Sequence, residues 1–242
     1  MQAFLVLAHA IVSRMTWLAG LAVLLIGTAA SAQAPAQWIA GKHYFLINGP
    51  QQVSVAPGKI EVTEVFSYAC NACNGFYPLM ERIKASLPAN AEVTYLHASF
   101  NTAEQWPMFQ RAFCAAQVLK VADQAHKAMF DSVWKGGELA LRDAKGKKKT
   151  PTIETAAAFY QRVAGVDQKK FLSVAKGFAV EGKVRRADKL IRDYGADSTP
   201  TMVVNGRYRL NVTSAGGEQE LIQLINWLVA KESMQRSASA GR

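Results

Sequence analysis

Cysteine is scarce in this chain: three in 242 residues. That excludes a disulfide framework, and an odd count leaves at least one thiol free, exchanging or reactive. The chain does not need such staples. Half of its residues are apolar, and a chain of this length buries a full-size core in one or two domains. Acidic residues are the second shortage, 18 against 28 Lys and Arg, giving a formal charge of +10. No basic stripe interleaved with aromatics accompanies that charge, so a nucleic-acid partner is not expected. A solvated basic surface is the plainer reading. Long apolar runs are also lacking: residues 17–26 fall short of the roughly 20 that a bilayer span requires.

That short run is informative in another way. Arg14 precedes it, and Ala30-Ser31-Ala32 follows with the small-x-small pattern of a cleavage site. Residues 1–32 therefore read as a signal peptide. No cysteine lies near the cleavage point, which argues against a lipid anchor. An uncleaved anchor is the weaker alternative, and a start at Met15 would discard the charged Arg14. Removing residues 1–32 leaves a charge of about +9, enough to steer encounters.

Further along, residues 33–41 read as a leader and 44–46 as a short strand. Residues 60–66 are rich in β-branched and apolar types and predict a buried strand. Residues 74–87 place Phe76, Leu79, Met80, Ile83 and Leu87 at helical spacing, with Pro78 as a kink. Residues 93–98 predict another strand. Helical patterns then fill 102–194, interrupted by the basic loop Lys145-Gly146-Lys147-Lys148-Lys149, with Phe178 closing one helix. Strand signals return at 201–204 and 208–211 around an Asn205-Gly206 turn. A last helix carries Leu221, Ile222, Ile225, Leu228 and Val229. The expected organisation is a signal peptide (1–32), a first α/β part (33–101), an all-helical insertion (102–185), a second α/β part (186–233) and a disordered tail (234–242).

Cys70-Asn71-Ala72-Cys73 falls where a strand runs into a helix. There the unpaired amides and the macrodipole favour an anion, so the Cys70 thiolate is stabilised and its pKa lowered. Cys73, one turn further in, can close a disulfide with it. A zinc site would need about four N/S ligands. The remaining candidates, Cys114, His43, His97 and His126, are not paired at ligand spacing, so no metal and no cofactor is expected. A plain structural bridge across two residues would close a tiny loop and stabilise little. A redox role is the better reading, with Cys70 the exchanging sulfur and Cys73 the resolving partner.

Two further features are open on their own. Thr199-Pro200 precedes a predicted strand, which fits either a cis bond that exposes backbone to an extended peptide or an ordinary turn. Glu64 interrupts an apolar strand six residues before Cys70. It is either a buried carboxyl with a raised pKa, able to pass a proton to or from Cys73, or a solvent-facing residue at a strand end. Cys114 reads as a small core residue of its helix.

Together these pieces resemble the thioredoxin superfamily, and within it the DsbA family of periplasmic disulfide oxidases. The matching stretches are Gly41-Lys42-His43-Tyr44, Glu64-Val65-Phe66-Ser67-Tyr68-Ala69-Cys70, Pro78, and Thr199-Pro200-Thr201-Met202-Val203-Val204-Asn205-Gly206-Arg207-Tyr208, within a similarity over about residues 41–230. The resemblance implies an α/β thioredoxin fold with an inserted all-helical domain. It implies Cys70 as nucleophile, Cys73 as resolving thiol, Pro200 in cis, Thr199 holding substrate backbone and Glu64 as the buried carboxyl. It also implies a monomeric periplasmic enzyme acting on unfolded or reduced exported proteins and recharged by a membrane thiol oxidase. The departures are Asn71-Ala72 where the family commonly has Pro-His, Thr199 where an oxidase usually has valine, and Tyr95 where many members place a lysine. The first implies a less acidic Cys70 and a weaker oxidant than a Pro-His relative, the second is more usual in thioredoxin and in disulfide isomerases, and the third leaves Glu64 without a cationic neighbour. A reductase or isomerase is therefore the alternative within enzymes, although no dimerisation segment is present. A non-redox peptide-binding chaperone is the alternative outside them.

Overall fold

Every residue of β2 (Ile60–Phe66) is buried, which makes this strand the centre of the structure. A computed structural model describes residues 38–240; the expected signal peptide lies outside them. β1 (Phe45–Leu46) comes first; β2 is followed by α1 (Asn71–Ser86) and β3 (Ala91–His97). Five helices come next: α2 (Trp106–Val118), α3 (Ala122–Trp134), α4 (Ile153–Ala164), α5 (Gln168–Ala175) and α6 (Phe178–Asp193). β4 (Thr201–Val204), β5 (Tyr208–Leu210), α7 (Val212–Ala215) and α8 (Glu218–Ala240) complete the fold.

The sheet order is β1-β5-β4-β2-β3, with β2 and β3 parallel and the other pairs antiparallel. Alternation along β2 divides the core, as the period of two in a strand requires. Ile60 and Val62 face α1 and α8, against Phe76, Met80, Ile83, Leu224, Ile225 and Leu228. Val65 faces the other way, onto Ile191 and Tyr194. Phe66 continues the first face into the helical insertion, against Phe109, Phe113, Met129 and Phe130. Each fully buried side chain of this size stabilises the fold by about 1.5–3 kcal/mol.

β3 is an edge strand, and exposed edges invite pairing with other chains. Here α2 covers it: Gln110 Nε2 donates to the His97 carbonyl at 2.9 Å, and Gln117 Nε2 to the Tyr95 carbonyl at 3.5 Å. The β4–β5 turn has Asn205 and Gly206 both at positive φ, 52° and 61°, as its hairpin type requires. A Cβ on Gly206 would also lie 2.6 Å from the Gln51 carbonyl oxygen.

Several expectations are corrected. α1 starts at Asn71, three residues earlier than its apolar spacing indicates, so Cys73 lies inside the helix. Phe178 opens α6 instead of closing the helix before it and is 94% exposed. The expected 185/186 border falls in the middle of α6, and the described residues pack as one unit. A short helix, α7, follows β5 behind an Asn211–Ser214 capping box. The basic segment is a loop, as expected, and is tied at its base: the Lys145 and Lys147 amides both donate to Asp143 Oδ1 at 2.9 Å, and Arg142 pairs with Lys148. The segment read as a disordered tail continues α8 to Ala240. Arg236 ties it down, donating to the Lys59 carbonyl at 2.6 Å and to Asn205 Oδ1 at 3.0 Å.

Candidate active site

Cys70 is the N-cap of α1, in extended conformation with φ −91° and ψ 115°. Its Sγ accepts from the Cys73 amide at 3.4 Å. No acidic residue occupies the first turn of the helix, so nothing there competes with a thiolate for the positive end of the dipole. Both cysteines are thiols in this structure. Cys70 is part-exposed and Cys73 is fully buried.

The two sulfurs are driven apart in acidity. The Cys73 thiol beside it, the Thr199 side chain and the amides of Cys73 and Ala72 hold the Cys70 pKa down to about 6, against a partial desolvation that raises it. Burial pushes Cys73 strongly upward, and its hydrogen bond to Cys70 and the charges of Glu64 and Cys70 add to this. At neutral pH the Cys70 sulfur is favoured as a thiolate, while Cys73 keeps its proton.

Glu64 is 2% exposed, which settles the choice the sequence left open. Desolvation, and then the charge on Cys70, raise its pKa to about 8. Its register partner on β3 is Tyr95, a hydroxyl that burial keeps neutral. The carboxyl therefore lies in a site where a proton can be held or released near neutral pH.

From the far side of the sheet, the loop before β4 reaches the pair. The Thr199-Pro200 bond is cis. The Thr199 carbonyl lies 3.5 Å from Cys70 Sγ and accepts from the thiol. Asn71 and Ala72 are exposed, and the Ala72 amide is among the groups that favour the thiolate.

Other candidates lie elsewhere. A cavity of about 450 Å³ opens beside β3, lined by Tyr95, Cys114, Gln117, Lys183 and Arg186 among others. Cys114 there is buried, and its thiol is pushed up to about 12 by desolvation, which makes it a poor nucleophile. His97 and His126 are core residues whose pKa values burial drives down to about 3. Both bond to Tyr68, as does Trp134. Sequence reading weighed the histidines only as metal ligands and Trp134 only as an apolar helix residue. The available signal was that Tyr68 sits two residues before the reactive cysteine.

An N-cap thiolate paired with a buried thiol, over a buried carboxyl and beside a cis proline, on a thioredoxin sheet, defines a thiol–disulfide oxidoreductase. Comparison with known proteins agrees and narrows the class. The thioredoxin family model matches residues 56–223. The thiol:disulfide interchange protein DsbA of Pseudomonas aeruginosa is 36% identical over 208 residues, 86% of this chain and 90% of that one. The protein of the same name from Azotobacter vinelandii is 33% identical, over 89% and 94%. The crystal structure of Pseudomonas aeruginosa DsbA superposes with a TM-score of 0.68, covering 85% of this chain and 97% of that one at 36% identity. The chain belongs to the DsbA family of thiol:disulfide interchange proteins.

Proposed function

We propose that this protein is an exported, periplasmic oxidase that introduces disulfide bonds into other exported proteins by exchange at Cys70 and Cys73. The observation that carries the reading is the separation of the two thiols, one part-exposed and acidic, the other buried and protonated. In the oxidised enzyme a substrate thiolate attacks Cys70 Sγ. The Cys70–Cys73 bond breaks, Cys73 leaves with the electron pair, and the proton held at Glu64 neutralises it. A second substrate thiolate then attacks the substrate sulfur of the mixed disulfide, and Cys70 leaves as a thiolate. The substrate loses two electrons and two protons to become a disulfide; the enzyme ends reduced, with Cys70 as thiolate and Cys73 as thiol, and Glu64 recovers its proton from solvent.

The low pKa of Cys70 makes it a good leaving group in the last step. Thr199 and Pro200 supply backbone beside the sulfur for an extended peptide, and Asn71 and Ala72 set the local electrostatics. A membrane thiol oxidase recharges the dithiol. Residues 1–32 serve as the signal peptide, the helical insertion (102–185 by sequence) covers the site, and the enzyme works as a monomer.

One observation favours a reductase or isomerase instead: no cationic side chain is among the groups that hold the Cys70 thiolate down. The experiment is to mix the oxidised protein with a reduced, unfolded protein substrate and count remaining thiols. Wild type is expected to remove substrate thiols in stoichiometric amount, and Cys70→Ser none. Oxidation that survives Cys70→Ser would overturn the reading. A reduction potential close to that of thioredoxin would turn it toward the reductase.

A further inference from the structure

Tyr68 is fully buried, and three of its atoms are tied. Its amide donates to His97 Nε2 at 3.1 Å. Its hydroxyl meets His126 Nδ1 at 2.9 Å. Its carbonyl accepts from Trp134 Nε1 at 2.9 Å. His97 ends β3, whereas His126 and Trp134 both belong to α3 of the helical insertion. The rest of the loop is closed by Ser67: the Cys70 amide donates to its carbonyl at 3.1 Å, and the Ala69 amide to its Oγ at 3.2 Å. Only residues 67–69 separate β2 from the Cys70 cap, so whatever holds Tyr68 also holds the start of α1.

From this arrangement we infer that Trp134 is a positioning residue for the redox site, its indole N–H setting, through the Tyr68 carbonyl, where the Cys70 sulfur sits. The inference rests on the reading of Cys70 and Cys73 as the exchanging pair. The contacts that balance thiol against thiolate lie at the long end of hydrogen-bond range: the Cys73 amide, which favours the thiolate, donates to Cys70 Sγ at 3.4 Å, and the Thr199 carbonyl, which accepts from the thiol, lies at 3.5 Å. Such contacts weaken steeply with small changes of distance and angle. A carbonyl on a fully buried residue that loses its donor must turn toward another, and Tyr68 cannot turn without moving the cap. Packing by the Trp134 ring alone would not require this: a ring without the N–H would serve equally well.

That difference supplies the test. Benzothienylalanine at position 134 replaces the indole N–H by sulfur and keeps the ring volume; Trp134→Phe is the genetic counterpart. In both, the thiolate absorbance of the reduced protein is followed against pH, and the equilibrium with glutathione is measured. The Cys70 midpoint is expected to rise, and the equilibrium to move toward the protein disulfide by roughly three- to tenfold, the factor that half to one unit of pKa carries. Trp106→Phe is the control, because the Trp106 indole N–H is buried without a hydrogen-bond partner; it should leave both readouts in place. Unchanged midpoints and equilibria in both position-134 variants would overturn the inference while wild-type exchange left the oxidoreductase reading intact. Failure of the wild type to exchange with glutathione would instead strike that reading first.

Discussion

The carbonyl of Thr199 lies 3.5 Å from the sulfur of Cys70, across 129 positions of sequence. Two loops at the ends of β2 and β4 make this contact, and the antiparallel pairing of Glu64 with Met202 and Val65 with Thr201 fixes it. The carbonyl accepts from the thiol, whereas the side chain of Thr199 favours the thiolate. Thr199→Val keeps the backbone contact and removes the hydroxyl. The Cys70 midpoint should rise from about 6, by less than about one unit, because the helix amides and the Cys73 thiol are untouched. Thiolate absorbance against pH measures it, and a fall in the midpoint would contradict the role given to the hydroxyl.

How much of this was legible beforehand divides by range. β2 was readable at both ends because its signal is local: seven β-branched, apolar or half-compatible residues between a Pro-Gly turn and a cysteine. The redox pair was readable for the same reason, since its chemistry follows from a strand, a helix start and a fixed spacing. The burial of Glu64 was undecided because alternation cannot say whether a strand has a second covered face. The clamp on Tyr68 was invisible, for its partners lie 29, 58 and 66 positions away. The end of α8 was misread because a polar sequence gives no local sign of the tertiary bonds that Arg236 makes.

Those bonds can be weighed. Arg236 spans the Lys59 carbonyl and Asn205 Oδ1, and Asn205 in turn donates to the buried Glu232. Arg236→Ala should lower stability by about 1–3 kcal/mol, the usual cost when a charged donor is removed and part-buried acceptors lose their partner. Deleting 234–242 should cost at least as much. Thermal unfolding with both cysteines reduced reads both, and a deletion variant as stable as wild type would show that the last turns of α8 carry no load.

Cys73 has no exposure, and its thiol is strongly held in the protonated state. Cys73→Ala therefore leaves Cys70 able to form mixed disulfides that no resolving thiol can release. Non-reducing gels of protein incubated with oxidised, unfolded substrates should show discrete adducts lost on adding dithiothreitol. Cys70→Ala should show none, because the remaining sulfur is out of reach. Adducts through Cys73 in that variant would mean the loop from Ser67 to Cys70 opens readily.

Asn71 and Ala72 are exposed, so their replacement by Pro and His should leave the fold unaltered while placing a cationic imidazole beside the sulfur. The Cys70 midpoint should fall below about 6, and the disulfide should become more oxidising in a glutathione titration. A midpoint that stays in place would mean that the helix amides and Thr199, and not the intervening pair, dominate the potential.

Glu64 makes the pH dependence of stability testable. Its folded pKa is raised to about 8 from an ordinary 4.5. Above about pH 4.5 the unfolded carboxyl loses its proton while the folded one keeps it, so this group makes stability fall as pH rises, until about pH 8. Cys70 acts in the opposite sense: its pKa is lowered to about 6 from 9, so its contribution is complete above about pH 9 and lost as pH falls through 6. Glu64→Gln removes the first effect and leaves the second. The reduced variant should therefore be more stable than wild type near pH 7. The difference should grow between about pH 5 and pH 8 on the order of 1 kcal/mol per pH unit and vanish in acid. Urea unfolding across that range measures it directly. A difference independent of pH would mean that Glu64 does not titrate in this window, and the carboxyl would then be unavailable to neutralise Cys73 as it leaves.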